Sequence, residues 1–220
     1  PQARIEGLES MTQITCHISD DLLDAYKLGS LPHPFAVVVA THLSLCDTCR
    51  ARLEAEDVLG GVMLESLEGV ALSADARAQV MAALDRSAPL RPVGPSGIFP
   101  APLMQALDGQ PPRWRMLGGG IRQQVISADK EGSLRLLYIP PGKAVPEHGH
   151  GGLELTLVLQ GSFSDSAGRF KRGDVETADA ATDHQPVADP GQPCICLAAT
   201  DAPLRFRSFL PRLLQPLFRI

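Results

Sequence analysis

The chain has 220 residues and a mass of 23.5 kDa, a length that allows one large domain or two small ones. Hydrophobic residues make up 44% and charged residues 20%, as in average globular proteins, and no run approaches the ~18 apolar residues of a membrane helix. We therefore exclude a helical membrane protein. Residues 1–110 carry 7 Lys+Arg against 14 Asp+Glu, whereas residues 111–220 carry 13 against 11. The acidic first half disfavours direct nucleic-acid binding and favours a basic protein partner.

The first residues predict no secretory signal. Residues 1–10 include Arg4, Glu6 and Glu9 and no apolar stretch, so we expect Met11 to be the native start. The five cysteines are odd in number, which favours metal ligands or free thiols in a reducing compartment over a disulfide framework. We expect a cytoplasmic protein.

Helical periodicity predicts four helices in the first part of the chain. Ser19 and Ser73 can cap the first and fourth helices, Pro34 suits the first turn of the second, and Gly29 ends the first. Residues 12–88 are therefore expected to form a small all-α domain, which a bound metal would help to stabilise. The helices are expected at about 19–29, 34–42, 47–65 and 73–86.

A proline-rich segment follows the predicted helices. Seven prolines lie between Ser87 and Pro112, and such a stretch cannot sustain a helix or a central strand. We predict an extended linker at residues 89–112, with an apolar stretch at 104–107 that can dock on a neighbour.

The periodicity changes after the linker to short alternating or apolar segments between Pro and Gly turns. This pattern predicts an all-β sandwich or barrel at residues 113–220. The clearest predicted strands are residues 135–139, 154–159, 174–177, 195–199 and 204–209.

The first candidate metal site is His17 together with the spaced set His42, Cys46 and Cys49. Two cysteines and two histidines form a closed tetrahedral zinc site, which is structural because no position remains for substrate. His42 and Cys46 are four residues apart, so one helix end can present both. Bound zinc would then tie the first helix to the second and third. Cys16 could replace His17 as a thiolate ligand, or be a free thiol.

The second candidate metal site comprises His148, His150, Glu154 and His184. Residues two apart in a strand point the same way, so His148 and His150 can face one interior point. Glu154 then comes from the next strand and His184 from a later hairpin. Three imidazoles and a carboxylate suit zinc, manganese, iron or nickel, and the donor types do not select among them.

Cys194 and Cys196 lie on a predicted strand with both sulfur atoms on one face. Core packing is the default interpretation, because free cysteine is among the most buried side chains. The alternative, a redox-sensitive pair, requires an accessible setting that favours the thiolate.

Two stretches resemble known domains. HISDDLLDAYKLG followed by ATHLSLCDTCRARLEAEDVLGG is similar to the zinc-binding anti-sigma domain, and PGKAVPEHGHGGLELTLVLQG is similar to the first conserved motif of the cupin superfamily. In this order, with the ending CICLAATDAPLRFRSFLPRLLQPLFRI, they resemble the ChrR-type anti-sigma factors.

The resemblance implies a zinc-binding helical domain followed by a cupin jelly-roll barrel. It implies sequestration of a group IV extracytoplasmic-function (ECF) sigma factor. In such a complex the N-terminal helices cover the surfaces with which the sigma factor binds core RNA polymerase. His17, His42, Cys46 and Cys49 would be the zinc ligands, and the helix at 73–86 and the apolar faces of the first three helices would contact the sigma factor. Members of this family respond to singlet oxygen and need the cupin domain for release.

We therefore expect a non-enzymatic transcriptional regulator. The alternative is a dioxygenase-like cupin metalloenzyme with a zinc-stapled tether, because three histidines and one glutamate can leave coordination positions open. A third interpretation is an oligomerisation module, since a homodimer can form through the cupin sheets.

Overall fold

A computed structural model describes residues 13–86 and 93–206. Met11, the linker residues 89–92 and the end of the last predicted strand, 207–209, lie outside the described residues. In the described part, helices precede strands, as the sequence predicts. The helices are α1 (Asp20–Lys27), α2 (His33–Leu43), α3 (Asp47–Glu65), α4 (Ala76–Arg86) and α5 (Ala101–Ala106). The strands are β1 (Arg115–Gly118), β2 (Ile121–Asp129), β3 (Gly132–Ile139), β4 (His148–Gly149), β5 (Glu154–Gln160), β6 (Ser162–Ser164), β7 (Arg169–Lys171), β8 (Val175–Ala178), β9 (Asp183–His184), β10 (Val187–Ala188), β11 (Cys194–Thr200) and β12 (Arg205–Phe206).

Helix α2 is the central helix of the molecule. Its sequence HPFAVVVATHL contains three consecutive valines, which favour strands, yet Pro34 in its first turn and apolar neighbours on every side allow a helix. A helix that is apolar all round is stable only when it is buried, and most of α2 is buried. Among the described residues, no helix is both long enough and apolar enough to cross a membrane.

Helix α5 lies within the segment for which the sequence predicts no helix, and this prediction is wrong for residues 101–106. Pro100 occupies the N-cap position and Pro102 the first turn, where the missing proline N–H costs no helical hydrogen bond. Leu103 and Met104 are buried and α5 packs against α2. The apolar part of this segment thus docks on the helices.

The largest sheet has six antiparallel strands in the order β1-β2-β3-β11-β5-β8. Its central strand β11 is buried along its whole length. Ile195, Leu197 and Ala199 belong to the core cluster on one face, and Cys194 and Cys196 to the cluster on the other. This alternation is the period-two pattern of a strand covered on both faces.

Two small sheets accompany the large one, and Phe163, Phe170 and Ala188 of the first share a core cluster with Cys194 and Cys196 on the face opposite the helices. One has the order β10-β6-β7 and the other the order β12-β4-β9. In the second sheet, His148 on β4 is the direct register partner of His184 on β9. The described strands form three open sheets, and a closed jelly-roll barrel is not confirmed.

The helices and the six-stranded sheet share one hydrophobic core. α2 packs against β3, β5 and β11, and a single cluster contains residues of both parts of the chain. The shared core fixes the helices relative to the sheet. Its helical members include Leu23, Phe35, Val38, Val39, Leu103 and Met104, and its sheet members include Leu134, Leu136, Leu155, Leu157 and Leu197.

Replacing Phe35 by alanine is expected to lower the free energy of unfolding by about 3–5 kcal/mol, because the ring is 1% exposed and its loss leaves a cavity in the shared core. Denaturant unfolding measures the change. Leu72→Ala is the control, since Leu72 is 83% exposed and its loss should change the free energy by no more than about 0.5 kcal/mol. Equal stabilities for the two variants would contradict the shared core.

Candidate metal centres

The four residues of the first predicted metal site lie together at one end of the helices. His17 precedes α1, His42 lies in the last turn of α2, Cys46 is the N-cap of α3 and Cys49 lies in its first turn. One donor atom from each residue lies within 4.8 Å of the others. Cys16 is not part of this cluster, because its backbone bonds to the β part instead.

The distances within this cluster match a tetrahedral site. His42 Nε2 lies 3.3 Å from the Cys49 sulfur, and His17 Nδ1 lies 3.3 Å from the Cys46 sulfur and 3.5 Å from the Cys49 sulfur. Zinc–nitrogen bonds of ~2.0–2.1 Å and zinc–sulfur bonds of ~2.3 Å at tetrahedral angles separate the two donors by about 3.5 Å. The donor set and its spacing therefore fit zinc.

Burial determines the protonation of this cluster. It lowers the pKa of His42 to about 4 and, together with the neighbouring Cys46, raises the pKa of Cys49 to about 11. The imidazole is therefore neutral, with a lone pair for a cation. The thiol needs a cation to become a thiolate at neutral pH, and this couples metal binding to proton release.

His42 also contacts the β part of the chain. Its Nδ1 donates to the Gly173 carbonyl at 2.9 Å, which leaves Nε2 as the atom that faces Cys49. The sequence did not reveal this contact, because a backbone carbonyl can come from any residue type.

The three histidines of the second predicted metal site also lie together. His148 and His184 face each other on β4 and β9, and His150 follows β4. The His184 Nε2 atom lies 3.3 Å from that of His148 and 3.2 Å from that of His150. Tetrahedral zinc–nitrogen bonds place two nitrogens about 3.3 Å apart, so the three buried imidazoles fit one metal ion.

The outer nitrogens of two of these histidines are held by acceptors. His148 Nδ1 donates to the Pro146 carbonyl at 2.8 Å, and His184 Nδ1 lies 2.7 Å from an Asp165 oxygen and 3.0 Å from a Glu176 oxygen. Such contacts fix the tautomer that leaves Nε2 free to bind metal. Although burial opposes it, the hydrogen bond to Glu176 raises the pKa of His184 to about 9. At neutral pH a metal ion must therefore displace the proton on Nε2 of His184.

Glu154 lies beside this cluster, on the outer side of one histidine. One carboxylate oxygen accepts from the Thr156 hydroxyl at 2.9 Å, and the other lies 3.4 Å from His150 Nδ1. The three Nε2 atoms converge without it, and its role as a fourth ligand stays a prediction. Sequence reasoning missed Asp165 and Glu176, although Glu176 lies in the predicted strand at 174–177.

Cys194 and Cys196 are buried, and their sulfur atoms are 3.4 Å apart. The hydrogen bond with Cys194 and burial both raise the pKa of Cys196 well above its usual value. Their surroundings favour thiols in a core, not an accessible thiolate.

Comparison with known proteins gives consistent results for both parts of the chain. Residues 105–203 match the model of the ChrR cupin-like domain family. The chain is 56% identical over 210 residues to the anti-sigma-E factor ChrR of Cereibacter sphaeroides, covering 93% of this chain and 98% of that protein. It also matches the crystal structure of Rhodobacter sphaeroides SigE in complex with the anti-sigma ChrR, with a TM-score of 0.75, 52% identity, and coverage of 86% of this chain and 100% of that chain. A cupin structure from Ralstonia eutropha matches 44% of this chain and 68% of that chain, with a TM-score of 0.40 and 20% identity.

Titration of the metal-free full chain with zinc or cobalt is expected to give two equivalents. Cys46→Ser should remove the equivalent with thiolate ligands, and His150→Ala should remove the other, because each loses one donor of a cluster. Metal content and thiolate-to-cobalt absorption measure the two sites. The controls are His33→Ala, which changes the histidine outside both clusters, and Cys194→Ser. Both variants should still bind two equivalents of metal. Two equivalents in Cys46→Ser would contradict the first ligand set.

Proposed function

The chain belongs to the ChrR family of anti-sigma factors, and from this premise we propose that its N-terminal helices bind and inhibit a group IV ECF sigma factor. In this proposal zinc in the first cluster holds the helices in their inhibitory arrangement. The cupin domain, with zinc or another transition metal at its histidines, releases the sigma factor under oxidative stress.

The observation that carries the proposal is the exposed apolar segment at residues 58–84, which comprises the second half of α3, the connection that follows it and most of α4. Its large apolar side chains are between 53% and 86% exposed, although monomeric proteins rarely expose many large apolar side chains close together. A partner that covers them gains the free energy of their burial. They are Val58, Leu59, Val62, Met63, Leu64, Leu67, Val70, Leu72, Val80, Met81 and Leu84.

The spacing of these residues places several of them together on one face of α3 or of α4, where they can form a contact surface for a partner. Val58 and Val62, or Leu59 and Met63, are four residues apart in α3, and Val80 and Leu84 are four apart in α4, so each pair lies on one helix face. The acidic excess of residues 1–110 complements a basic DNA-binding protein such as a sigma factor.

The first metal cluster lies at the start of α3, the helix whose second half belongs to the exposed apolar segment. Cys46 and Cys49 form the buried start of α3, while the second half of the same helix is exposed. A metal at the four donors would fix the start of α3 against His17 and α2, and so would orient the exposed half. Binding of the metal is then part of the folding of the inhibitory surface.

The release step is assigned to the cupin domain. We propose that singlet oxygen modifies a metal-bound histidine or the Cys194 and Cys196 thiols, and that the altered packing reaches the helices through the shared core. The support is the contact of α2 with three strands of the six-stranded sheet, which gives the β part a direct physical connection to the helices.

A second candidate function, a cupin metalloenzyme, is favoured by one observation. An open cleft of about 730 Å³ lies beside His184 and offers space for a small molecule. Against it, the carboxylates nearest the histidines, Glu154, Asp165 and Glu176, already bond to the histidines or to Thr156, so we propose a non-enzymatic role. Oxygen consumption by the iron-loaded protein would instead support the enzyme.

Three further predictions belong to this proposal. We place the protein in the cytoplasm, where sigma factors bind RNA polymerase. The boundaries 12–88, 89–112 and 113–220 are proposed for the helical zinc-binding domain, the linker and the cupin jelly-roll barrel. A homodimer through the cupin domain is proposed as well.

Met63→Glu is expected to weaken binding of a cognate ECF sigma factor about tenfold or more, because a charge replaces an apolar contact in the interface. Met116→Glu is the matched control, since the two methionines are 64% and 59% exposed and Met116 lies on β1. Calorimetric titration of the full chain measures both affinities, and the zinc content should be unchanged. Equal affinities for the two variants would contradict the proposed contact surface.

His150→Ala is expected to preserve inhibition but to abolish release, because it removes a donor of the cupin cluster and leaves the helices intact. A reporter gene controlled by the sigma factor, measured with and without a photosensitiser, tests this. Normal induction in His150→Ala cells would sink the proposed role of the cupin metal, whereas constant high expression would show that the cupin metal is needed for inhibition.

A further inference from the structure

We infer that the cupin turn Gly173–Asp174 is part of the N-terminal metal centre, with Asp174 as the positioning residue that holds the segment bearing His17. The inference rests on the proposed metal site. It adds two residues of the β part to a centre whose four candidate ligands all belong to the helical part.

Asp174 is fully buried and all its hydrogen bonds to backbone N–H groups are short. One carboxylate oxygen accepts from the backbone N–H of Thr15 at 2.6 Å and of Cys16 at 3.0 Å, and the other accepts from the N–H of Lys171 at 2.9 Å. The Thr15 hydroxyl lies 3.3 Å from the first oxygen. A buried carboxylate is stable only with such donors, and two of the donors directly precede His17.

Gly173 acts on a second candidate ligand. Its carbonyl accepts from His42 Nδ1 at 2.9 Å, so His42 presents Nε2 to the metal cluster. Acceptors of this kind fix the ring orientation and the tautomer of a metal-binding histidine. Two consecutive residues of the turn thus orient two of the four candidate ligands, which come from different segments of the chain.

The conformation of the Gly173–Asp174 turn allows the N-terminal segment to lie close to it. Gly173 has φ +92°, a conformation that favours glycine, and a Cβ atom there would lie 2.5 Å from Ile14 Cδ1, so another residue would displace the Ile14 side chain. The Val175 N–H donates to the Cys16 carbonyl at 3.1 Å, and the Gly173 N–H donates to the Val158 carbonyl at 2.8 Å. The turn is therefore bonded to the N-terminal segment on one side and to β5 on the other.

This arrangement makes the metal affinity of the helical part depend on the cupin part. Without Asp174, the segment before His17 loses its two amide contacts with the carboxylate, and of the bonds described above only that from the Val175 N–H to the Cys16 carbonyl still holds it to the turn. The position of His17 is then less restrained. Loss of such a supporting contact typically weakens metal binding about 10- to 100-fold.

The test uses the full-length protein loaded with cobalt. Thiolate-to-cobalt absorption reports only on the cluster with Cys46 and Cys49, and competition with a chelator gives its cobalt affinity. Asp174→Ala should lower this affinity about 10- to 100-fold. Asp174→Asn should keep part of it, because the amide oxygen can still accept from Thr15 and Cys16, whereas the amide NH2 cannot accept from the Lys171 N–H. Such rescue distinguishes a positioning role from a general effect on packing.

Asp189→Ala is the matched control. Asp189 also accepts several hydrogen bonds, but its partners Ser162, Ser164 and Arg169 all lie in the β part. Its loss should leave the cobalt affinity of the first cluster unchanged. If Asp174→Ala fails to fold, Thr15→Pro decides, because it removes the N–H and the hydroxyl of Thr15 and leaves the cupin sequence intact. It should also weaken cobalt binding.

Unchanged cobalt affinity in Asp174→Ala and Thr15→Pro would overturn the inference, as would an equal loss in Asp189→Ala. Sigma-factor binding by the wild-type chain is measured in parallel, so that the inference can fail while the proposed function stands. A wild-type chain without thiolate-to-cobalt absorption would overturn the metal site and the inference together.

Discussion

The structure depends on the burial of the helix-facing side of the six-stranded sheet. Six leucines of β3, β5 and β11 belong to the core cluster on this side and are fully buried, and α2 packs against all three strands. They are Leu134, Leu136, Leu155, Leu157, Leu159 and Leu197. Exposing them to water would cost roughly 1.5–3 kcal/mol for each side chain. Because α2 must lie on this surface, the position of His42 at its end follows, and so does the place where α3 begins.

The two metal clusters differ in how their residues are brought together. The first joins the segment before α1, the end of α2 and the start of α3 through short connections, and a metal ion there would cross-link these segments. The second is built from sheet register, since His148 and His184 are direct partners on β4 and β9. Its histidines are held from behind by Pro146, Asp165 and Glu176. A metal ion in the first cluster would thus stabilise the arrangement of the helices, whereas the sheets already hold the histidines of the second.

The sequence reveals features that depend on local spacing. The bounds of α3 and the core of β5 and β11 follow from periodicity, and His42, Cys46 and Cys49 follow from ligand chemistry. The two-residue strands β4, β9 and β10 were not predicted, because their pairing depends on distant partners and not on local pattern. The helix α5 was not predicted, because a high proline content disfavours a helix in general, whereas Pro100 and Pro102 occupy the N-cap and first-turn positions that tolerate proline. The Gly173 carbonyl and the Asp174 carboxylate carry no ligand signature, so only the structure reveals their contacts with the N-terminal segment.

The buried Asp174 carboxylate also determines how the helical and β parts can come apart. A small displacement of Thr15 and Cys16, too small to admit water, leaves a charged group in the interior without its donors, which is costly. A large displacement lets water replace the lost amides. Small separations of the helical and β parts are therefore less stable than both the fully bonded arrangement and the fully hydrated one. The contact is then either made or broken. A graded chemical change in the cupin domain would in this way become an all-or-none structural event at the helices.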